Sequence, residues 1–170
     1  MLQEYVERAD KRVIEQIIDQ LDGKLADLMV GKYGNFFCSK LIDCLTPTQR
    51  VHFLKQISGQ KFVEISCDER GTWVLQNILC AASEKNEFAI IRGTIMADDN
   101  ILKLSCDNKG HHMIILIIKR YPAHIKNEIF DYIMAHFGQL ARDKNGLCVM
   151  KELIHTASKG ETAKIQAIMA

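Results

Sequence analysis

The hydrophobic residues of this chain follow a pattern that returns four times, each time after a glycine. The third, fourth, seventh and eighth residues after each glycine are apolar, a spacing that places all four on one side of an α-helix. The glycines, Gly34, Gly71, Gly110 and Gly146, lie 37, 39 and 36 residues apart. The sixteen apolar positions are Phe37, Cys38, Leu41, Ile42, Val74, Leu75, Ile78, Leu79, Met113, Ile114, Ile117, Ile118, Val149, Met150, Leu153 and Ile154. This spacing predicts a repeat protein.

A second apolar pair precedes every glycine, nine and six residues earlier, and predicts a short helix ahead of the glycine turn. The pairs are Leu25 and Leu28, Phe62 and Ile65, Ile101 and Leu104, and Phe137 and Leu140. Asp68, Asp107 and Asp143 lie three residues before a glycine, where a carboxylate can hydrogen-bond to the turn that opens the next helix. Gly31 stands at that position in the first complete unit.

A third helix is predicted to complete each unit. Its start signals are Thr46 with Pro47, Ser83 with Asn86, Pro122, and the capping box of Ser158 with Glu161. The second complete unit is the longest, and its extra residues are predicted to form a loop from Met96 to Asn100.

These elements together predict an all-α solenoid of three-helix units, in which each unit packs only on its neighbours. We predict one repeat domain over residues 1–170. It comprises a partial repeat over 1–23 and complete repeats over about 24–59, 60–98, 99–136 and 137–170. Gln3 lies 36 residues before Ser39, so the chain is expected to begin in the middle of a repeat.

Composition narrows the classes of function. With 48% hydrophobic and 25% charged residues, the chain is expected to be globular with a continuous core. Its formal net charge is +1, so a nucleic acid must be held by a local arrangement of side chains and not by a strongly basic surface. The chain has no phosphate-binding glycine loop, no nucleophile motif and no paired catalytic carboxylates, so neither an enzyme nor a cofactor is predicted.

The six cysteines contain no Cys-x-x-Cys pair. Cys67 and Cys106 lie four residues before a repeat glycine and Cys38 lies on a core position, so packing explains them better than disulfides or metal ligands. A reduced, intracellular compartment is therefore expected. No secretory leader is identified, and the longest apolar run, from Met113 to Ile118, is too short to cross a membrane.

The residues around the first two glycines resemble Pumilio (PUF) repeats. Residues 34–42, Gly-Asn-Phe-Phe-Cys-Ser-Lys-Leu-Ile, stand between Asp27-Leu28-Met29 and Thr46-Pro47-Thr48-Gln49-Arg50, and residues 62–66 lead to Gly71-Thr72-Trp73-Val74-Leu75-Gln76. The resemblance covers essentially the whole chain and rests on repeat length and the glycine-centred register. It implies a right-handed α-solenoid of Pumilio-type repeats that binds single-stranded RNA on its concave face, one base per repeat.

The resemblance also implies which side chains contact RNA. The first and fifth residues after each glycine would contact a base edge, and the second would stack on bases, a contact worth roughly 1–3 kcal/mol per base. Thr72 and Gln76 form an edge-contacting pair with Trp73 as the stacking ring. Asn35, Phe36 and Ser39 keep the amide and the ring, with the shorter Ser39 in place of the usual Gln.

The last two repeats depart further from the family pattern. His111 and His112 can hydrogen-bond and stack, but Ile115 has no polar group for a base edge. Zinc binding by the two histidines is not predicted, since adjacent residues point to different sides of a helix and no fourth ligand is suitably spaced. Leu147 and Cys148 differ most from the pattern.

Two single residues complete the candidate RNA-binding set. Lys151 suits a phosphate better than a base, and Gln3 occupies a fifth position whose partner would precede Met1. The candidate set is Gln3, Asn35, Phe36, Ser39, Thr72, Trp73, Gln76, His111, His112 and Lys151.

Several alternatives remain open on the sequence alone. Trp73 and Phe36 can instead be packed rings, Gln76 a solvated surface residue, and Lys151 an ordinary solvated charge. The competing function is a protein-binding scaffold similar to armadillo or HEAT solenoids, favoured by the near-neutral charge and by apolar residues such as Leu147 and Ile115. The Pumilio resemblance implies binding to mRNA 3′ untranslated regions, post-transcriptional regulation, a monomer, regulatory proteins on the convex face, and a cytoplasmic location, with nucleolar relatives known.

Overall fold

The computed structural model describes residues 2–169, and side chains within residues 4–167. Over this range the chain forms fourteen α-helices and no strand, which confirms the all-α prediction. The chain divides into two compact units, Met1–Ala97 and Asp98–Ala170, which we describe separately. In the part of the chain that the structure describes, every helix is too short or too polar to span a membrane.

The first unit contains a partial repeat (α1 and α2) and two complete three-helix repeats (α3–α5 and α6–α8). Its helices are α1 Leu2–Arg8, α2 Lys11–Gln20, α3 Leu25–Val30, α4 Gly34–Cys44, α5 Pro47–Gln56, α6 Gln60–Cys67, α7 Gly71–Ala81 and α8 Lys85–Ile95.

The second unit contains two complete repeats, α9–α11 and α12–α14. Its helices are α9 Asn100–Cys106, α10 His111–Arg120, α11 Ala123–Ala135, α12 Phe137–Leu140, α13 Lys144–Thr156 and α14 Lys159–Met169. In both units the glycine-centred pattern corresponds to the second helix of a repeat, which is α4, α7, α10 or α13.

The glycines allow the first and second helices of a repeat to approach closely. A Cβ atom added to Gly71 would lie 2.8 Å from the carbonyl oxygen of Ile65, and one added to Gly146 would lie 2.6 Å from that of Leu140. Real Cβ atoms are not found this close to a backbone oxygen. The apolar residue six positions before each glycine is therefore the residue whose backbone the glycine contacts.

The aspartates before the glycines make the predicted hydrogen bonds. The Asp68 carboxylate accepts hydrogen bonds from the backbone N–H groups of Arg70 and Gly71, at 2.8 and 2.7 Å. Asp107 and Asp143 do the same at the starts of α10 and α13. These bonds satisfy backbone donors that have no partner within the helix.

The start signals of three third helices are confirmed, and α11 begins directly after Pro122. Thr46 caps α5 in a capping box with Gln49, with Pro47 at the first helical position. Ser158 and Glu161 form the predicted capping box of α14, with 2.6 Å between the Ser158 nitrogen and the Glu161 carboxylate.

The predicted start of α8 at Ser83 is wrong. The cap residue is Glu84, because the Glu87 carboxylate accepts hydrogen bonds from the backbone N–H groups of both Ser83 and Glu84. The loop predicted from Met96 to Asn100 ends one residue earlier, where Asp99 adopts a left-handed conformation and α9 begins.

Of the sixteen predicted core residues, fourteen are buried, with at most 5% of their surface exposed. Phe37 is half-buried and Ile154 is 48% exposed; these two lie in the first and the last complete repeat. Phe37 lines an open apolar depression together with Tyr5, Ile17 and Leu28, among other residues. Cys38 is fully buried, and burial raises the pKa of its thiol to about 12, so it packs as an apolar side chain.

A buried ion pair connects the two complete repeats of the first unit. The Arg50 guanidinium donates to both oxygens of the Glu87 carboxylate, at 2.5 and 3.3 Å, and also to the Leu45 carbonyl oxygen. The Oε2 atom of Glu87 also accepts the two backbone N–H groups at the start of α8, so the carboxylate accepts four hydrogen bonds in all. This pair was not predicted from the sequence. Both residues lie sixteen positions after a repeat glycine. Opposite charges at this position of two successive repeats are the sequence feature that could have predicted the pair.

Candidate nucleic-acid interface

The second helices of the first unit place two aromatic rings in solvent. Phe36 on α4 is 61% exposed and Trp73 on α7 is 67% exposed, although seven of the eight core residues on the same helices are at most 2% exposed. The alternative in which the two rings pack in the core is therefore wrong. We call these two side chains, together with Asn35, Ser39, Thr72 and Gln76, the first-unit surface.

Thr72 was predicted to be an exposed partner of Gln76, but the structure buries it. Its side chain is only 2% exposed, and its hydroxyl accepts a long hydrogen bond of 3.5 Å from the Gln76 amide. Thr72 thus positions Gln76, while Gln76 is half-buried and carries the accessible amide of this pair. The burial follows from the position of Thr72 in the first turn of α7, directly after the close contact at Gly71.

The two polar residues that α4 contributes to the first-unit surface are both engaged in hydrogen bonds. The Asn35 side-chain oxygen accepts the backbone N–H of Phe36 at 2.7 Å, next to the start of the helix. The Ser39 hydroxyl accepts a hydrogen bond of 3.2 Å from the side-chain amide of Asn77, which belongs to the next repeat. Asn77 is exposed and was not identified from the sequence. Asn77 follows Trp73 by four residues, a spacing that makes the two side chains neighbours on a helix and could have identified Asn77 from the sequence.

The second unit carries different chemistry at the equivalent positions. We call His111, His112, Ile115, Leu147, Cys148 and Lys151 the second-unit surface. His111 is only 8% exposed, and its Nδ1 lies 2.9 Å from the carbonyl oxygen of Asp107. A carbonyl only accepts hydrogen bonds, so Nδ1 carries a proton and His111 serves the helix start.

His112 is exposed, and its ring centroid lies 4.0 Å from that of His111. Partial burial lowers the pKa of His112 below its ordinary value of 6.5, and the electrostatic influence of the neighbouring His111 and Lys109 lowers it further. At neutral pH the His112 ring is therefore uncharged, and it can offer a flat stacking surface without an added positive charge.

The α13 part of the second-unit surface combines apolar and basic side chains. Leu147 is 49% exposed, and Cys148 and Lys151 are exposed beside it. Cys148 and Lys151 line a shallow depression with Glu152, Ile154 and His155. Glu152 also binds the exposed Lys119 of α10, at 3.1 Å.

Gln3 lies in α1, but its side chain is outside the described residues. The structure therefore places nine of the ten candidate side chains, and it brings them together in two groups of neighbouring helices. These are α4 with α7 in the first unit, and α10 with α13 in the second.

One cluster away from both surfaces has the composition of a metal site. Among the described residues, Glu15, Asp19 and His52 bring their ligand atoms within 4.8 Å of one another. The His52 Nδ1 atom lies 2.8 Å from the Glu15 carboxylate, and Nε2 lies 3.6 Å from that of Asp19. The side-chain nitrogen of Gln56 also lies 3.3 Å from His52 Nε2, so the polar atoms of the cluster contact one another between α2 and α5.

Comparison with known proteins adds evidence about the family. A family model described as the Pumilio-family RNA binding repeat matches residues 24–58, 61–92 and 136–167, which is more than half of the chain. Pumilio homolog 12 of Arabidopsis thaliana is 25% identical over 155 residues, covering 90% of this chain and 26% of that protein. A Pumilio domain-containing protein of Schizosaccharomyces pombe is 27% identical over 164 residues, covering 96% of this chain and 24% of that protein.

Solved structures agree on the fold. The Puf4 RNA binding domain bound to an HO endonuclease RNA 3′ UTR recognition sequence matches with a TM-score of 0.87 at 24% identity, over 98% of this chain and 51% of that one. The RNA-binding domain of yeast Puf5p bound to SMX2 RNA matches with a TM-score of 0.85 at 23% identity, over 99% and 48%. The chain spans about a quarter of these curated relatives and about half of these solved chains.

Proposed function

We propose that this chain, which belongs to the Pumilio (PUF) repeat family, binds single-stranded RNA with sequence preference through the second helices of its repeats. The observation that carries the proposal is the exposure of Phe36 and Trp73 at equivalent positions of two successive second helices. Large aromatic side chains are usually buried, so two displayed at one repeat position indicate a ligand with flat faces.

The proposed mechanism combines stacking with hydrogen bonds to base edges. A base that stacks on Trp73 presents its edge to the Gln76 amide, which offers a donor and an acceptor side by side. Such a base must be unstacked from its neighbours, which favours single-stranded RNA over a duplex. No bond is made or broken in this mechanism, so we propose a binding protein without catalytic activity.

The second-unit surface contributes differently in this proposal. His112 offers a neutral ring to one base, and Lys151 offers a positive charge to a phosphate. Ile115 and Leu147 bring no hydrogen-bonding group to a base edge. The sequence preference of the whole chain therefore comes mainly from the first unit.

The biological role is proposed from the relatives. The Puf4 structure contains a recognition sequence from an RNA 3′ UTR. We propose that this chain likewise binds 3′ untranslated regions of mRNA in the cytoplasm and acts in post-transcriptional regulation. Crosslinking and immunoprecipitation followed by RNA sequencing should recover 3′ UTR fragments, and fluorescence imaging should place the protein in the cytoplasm. Recovery of ribosomal RNA precursors with nucleolar fluorescence would contradict this role.

The binding proposal is tested by selection from a randomised pool of single-stranded RNA. We expect a short motif to be enriched, and the affinity for it to fall only moderately between two salt concentrations, because few phosphates are neutralised by a chain of net charge +1. The matched comparison is a scrambled RNA of equal length and composition.

Absence of an enriched motif, or binding that disappears at moderate salt, would contradict recognition of base edges. The protein-binding scaffold would then become the leading hypothesis. The family match favours RNA over that scaffold.

A further inference from the structure

Asn77 and Ser39 form a polar link between the two aromatic rings of the first-unit surface. The Asn77 amide nitrogen on α7 donates to the Ser39 hydroxyl on α4, at 3.2 Å. Asn77 follows Trp73 by four residues and Ser39 follows Phe36 by three. Side chains at these spacings are neighbours on a helix surface. The hydrogen bond therefore connects the surroundings of one ring with those of the other.

The Asn77 carboxamide keeps hydrogen-bonding capacity beyond this link. A carboxamide has two N–H donors and an oxygen that accepts. Ser39 takes one donor, and no other hydrogen bond of Asn77 is found within the described part of the chain. Since the side chain is exposed, one donor and the acceptor face solvent. Gln76 carries the same combination of groups for its own repeat.

Contacts at the sixth position after the glycine also occur in other repeats, but there they are ion pairs. Lys40 binds Glu7 of α1 at 2.7 Å, and Glu152 binds Lys119 of α10 at 3.1 Å. Asn77 differs from Lys40 and Glu152 in two respects. Its own group is a neutral amide, and its partner is a hydroxyl at a proposed base-contacting position.

From this geometry we propose that Asn77 is a specificity residue for the preceding repeat. Ser39 stands where the Pumilio pattern has Gln, and its hydroxyl is too short to replace a carboxamide. The Asn77 carboxamide, held in place by Ser39, takes over that role and hydrogen-bonds the edge of the base that stacks on Phe36. The base preference of one repeat is then set partly by a side chain of the next. This inference rests on the proposed RNA binding and adds a residue outside the repeat's own helix.

The test measures affinities of the whole chain for the selected RNA and for RNAs that carry each of the other three bases at one position. The variants are Asn77→Ala, Ser39→Ala and, as a matched control, Asn86→Ala, which removes an exposed Asn from the first turn of α8. Asn77→Ala should weaken binding of the preferred base about three- to tenfold, at one RNA position only. Ser39→Ala should reduce discrimination at the same position by a smaller factor, because the amide remains but loses its anchor. Asn86→Ala should change nothing.

The outcomes separate this inference from the binding proposal. If Asn77→Ala keeps the full discrimination of the wild-type chain at every RNA position, the inference is wrong and the binding proposal stands. A lowered melting temperature with unchanged discrimination would also overturn it, since the hydrogen bond would then serve only the packing of α4 and α7. If the folded wild-type chain prefers no RNA at all, the binding proposal fails first and the inference fails with it.

Discussion

The two compact units have the same kind of core but different exposed surfaces. In α7 and α10 the four core residues are at most 1% exposed, so packing is equally complete in both. On the exposed side, the first unit displays the Phe36 and Trp73 rings beside amide and hydroxyl groups, whereas the second displays a neutral His112 ring with Leu147 and Cys148. The buried and the exposed side of each second helix consist of different residues, so the surface can change while the fold is kept.

The junctions between third helices differ as well. In the first unit, the buried pair of Arg50 and Glu87 fills the junction. In the second unit, Lys126 stands at the same repeat position as Arg50, and with Glu161 it lines a cleft of about 410 Å³. Glu161 is the capping-box residue of α14, as Glu87 is of α8. The third helices of the second unit are joined instead by an exposed ion pair between Lys164 of α14 and Asp131 of α11, at 3.0 Å. Among the described residues, a buried ion pair thus fills only the first-unit junction.

The largest expected effect comes from breaking this junction. Glu87→Ala leaves the Arg50 guanidinium buried without its partner, so the free energy of unfolding should fall by about 3–5 kcal/mol. Glu161→Ala removes only a partly exposed cap and should cost about 1 kcal/mol. Urea unfolding followed by circular dichroism measures both. Equal losses in the two variants would show that the junctions are energetically alike.

Removal of the proposed RNA contacts should have the next largest effect. The double variant Trp73→Ala with Gln76→Ala should lose about 2–4 kcal/mol of RNA binding, from one stacked base and one edge contact. His112→Ala in the second unit should lose less, because a small ring stacks on less area. Both variants should melt at nearly the wild-type temperature, since Trp73 and His112 are exposed. Titration of fluorescent RNA measures the affinities, and an unchanged affinity of the double variant would count against the first-unit surface.

The glycine contact, which both units share, should give an intermediate loss of stability. Gly71→Ala forces the α6 and α7 backbones apart and should cost about 1–3 kcal/mol. Gly93→Ala is the matched control, because it lies inside α8 with nothing within 4 Å of an added Cβ. This control should stabilise the chain by about 0.5–1 kcal/mol through better helix propensity. If Gly71→Ala is neutral in thermal unfolding, close approach is not the reason for the glycine.

The smallest effect is a pH dependence confined to the second-unit surface. The folded pKa of His112 lies below its ordinary value of 6.5, so the unfolded chain binds more protons in the interval between the two values. The contribution of His112 to stability is therefore complete above about pH 6.5 and is lost as the pH falls toward the folded pKa. Melting temperatures at about pH 7.5 and about pH 5 should differ less for His112→Gln than for the wild-type chain. If the difference in melting temperature between the two pH values is the same in His112→Gln as in the wild-type chain, the pH dependence of stability comes from other groups.

Much of the candidate site could be predicted from the sequence because a repeat shows each position several times. Trp73 and Phe36 follow their glycines by two residues, outside the apolar positions, which favoured the exposed side. Only the structure excluded packed rings. The burial of Thr72 could not be predicted, because it depends on how closely α6 approaches α7. The link from Asn77 to Ser39 joins residues 38 positions apart, and its geometry depends on how two helices pack side by side.

The sequence by itself determined the repeat length, the helix register and most core positions, because these follow from the periodicity of apolar residues and from local capping signals. The resemblance of its residues to Pumilio repeats also indicated the family. The tertiary structure alone decided which polar side chains are accessible and which are used internally. It buried Arg50 against Glu87, turned the His111 ring toward its own helix start, and joined Asn77 to the preceding repeat. The physical reason is that exposure and hydrogen-bond partners depend on the distance between neighbouring helices, which a one-dimensional pattern does not contain.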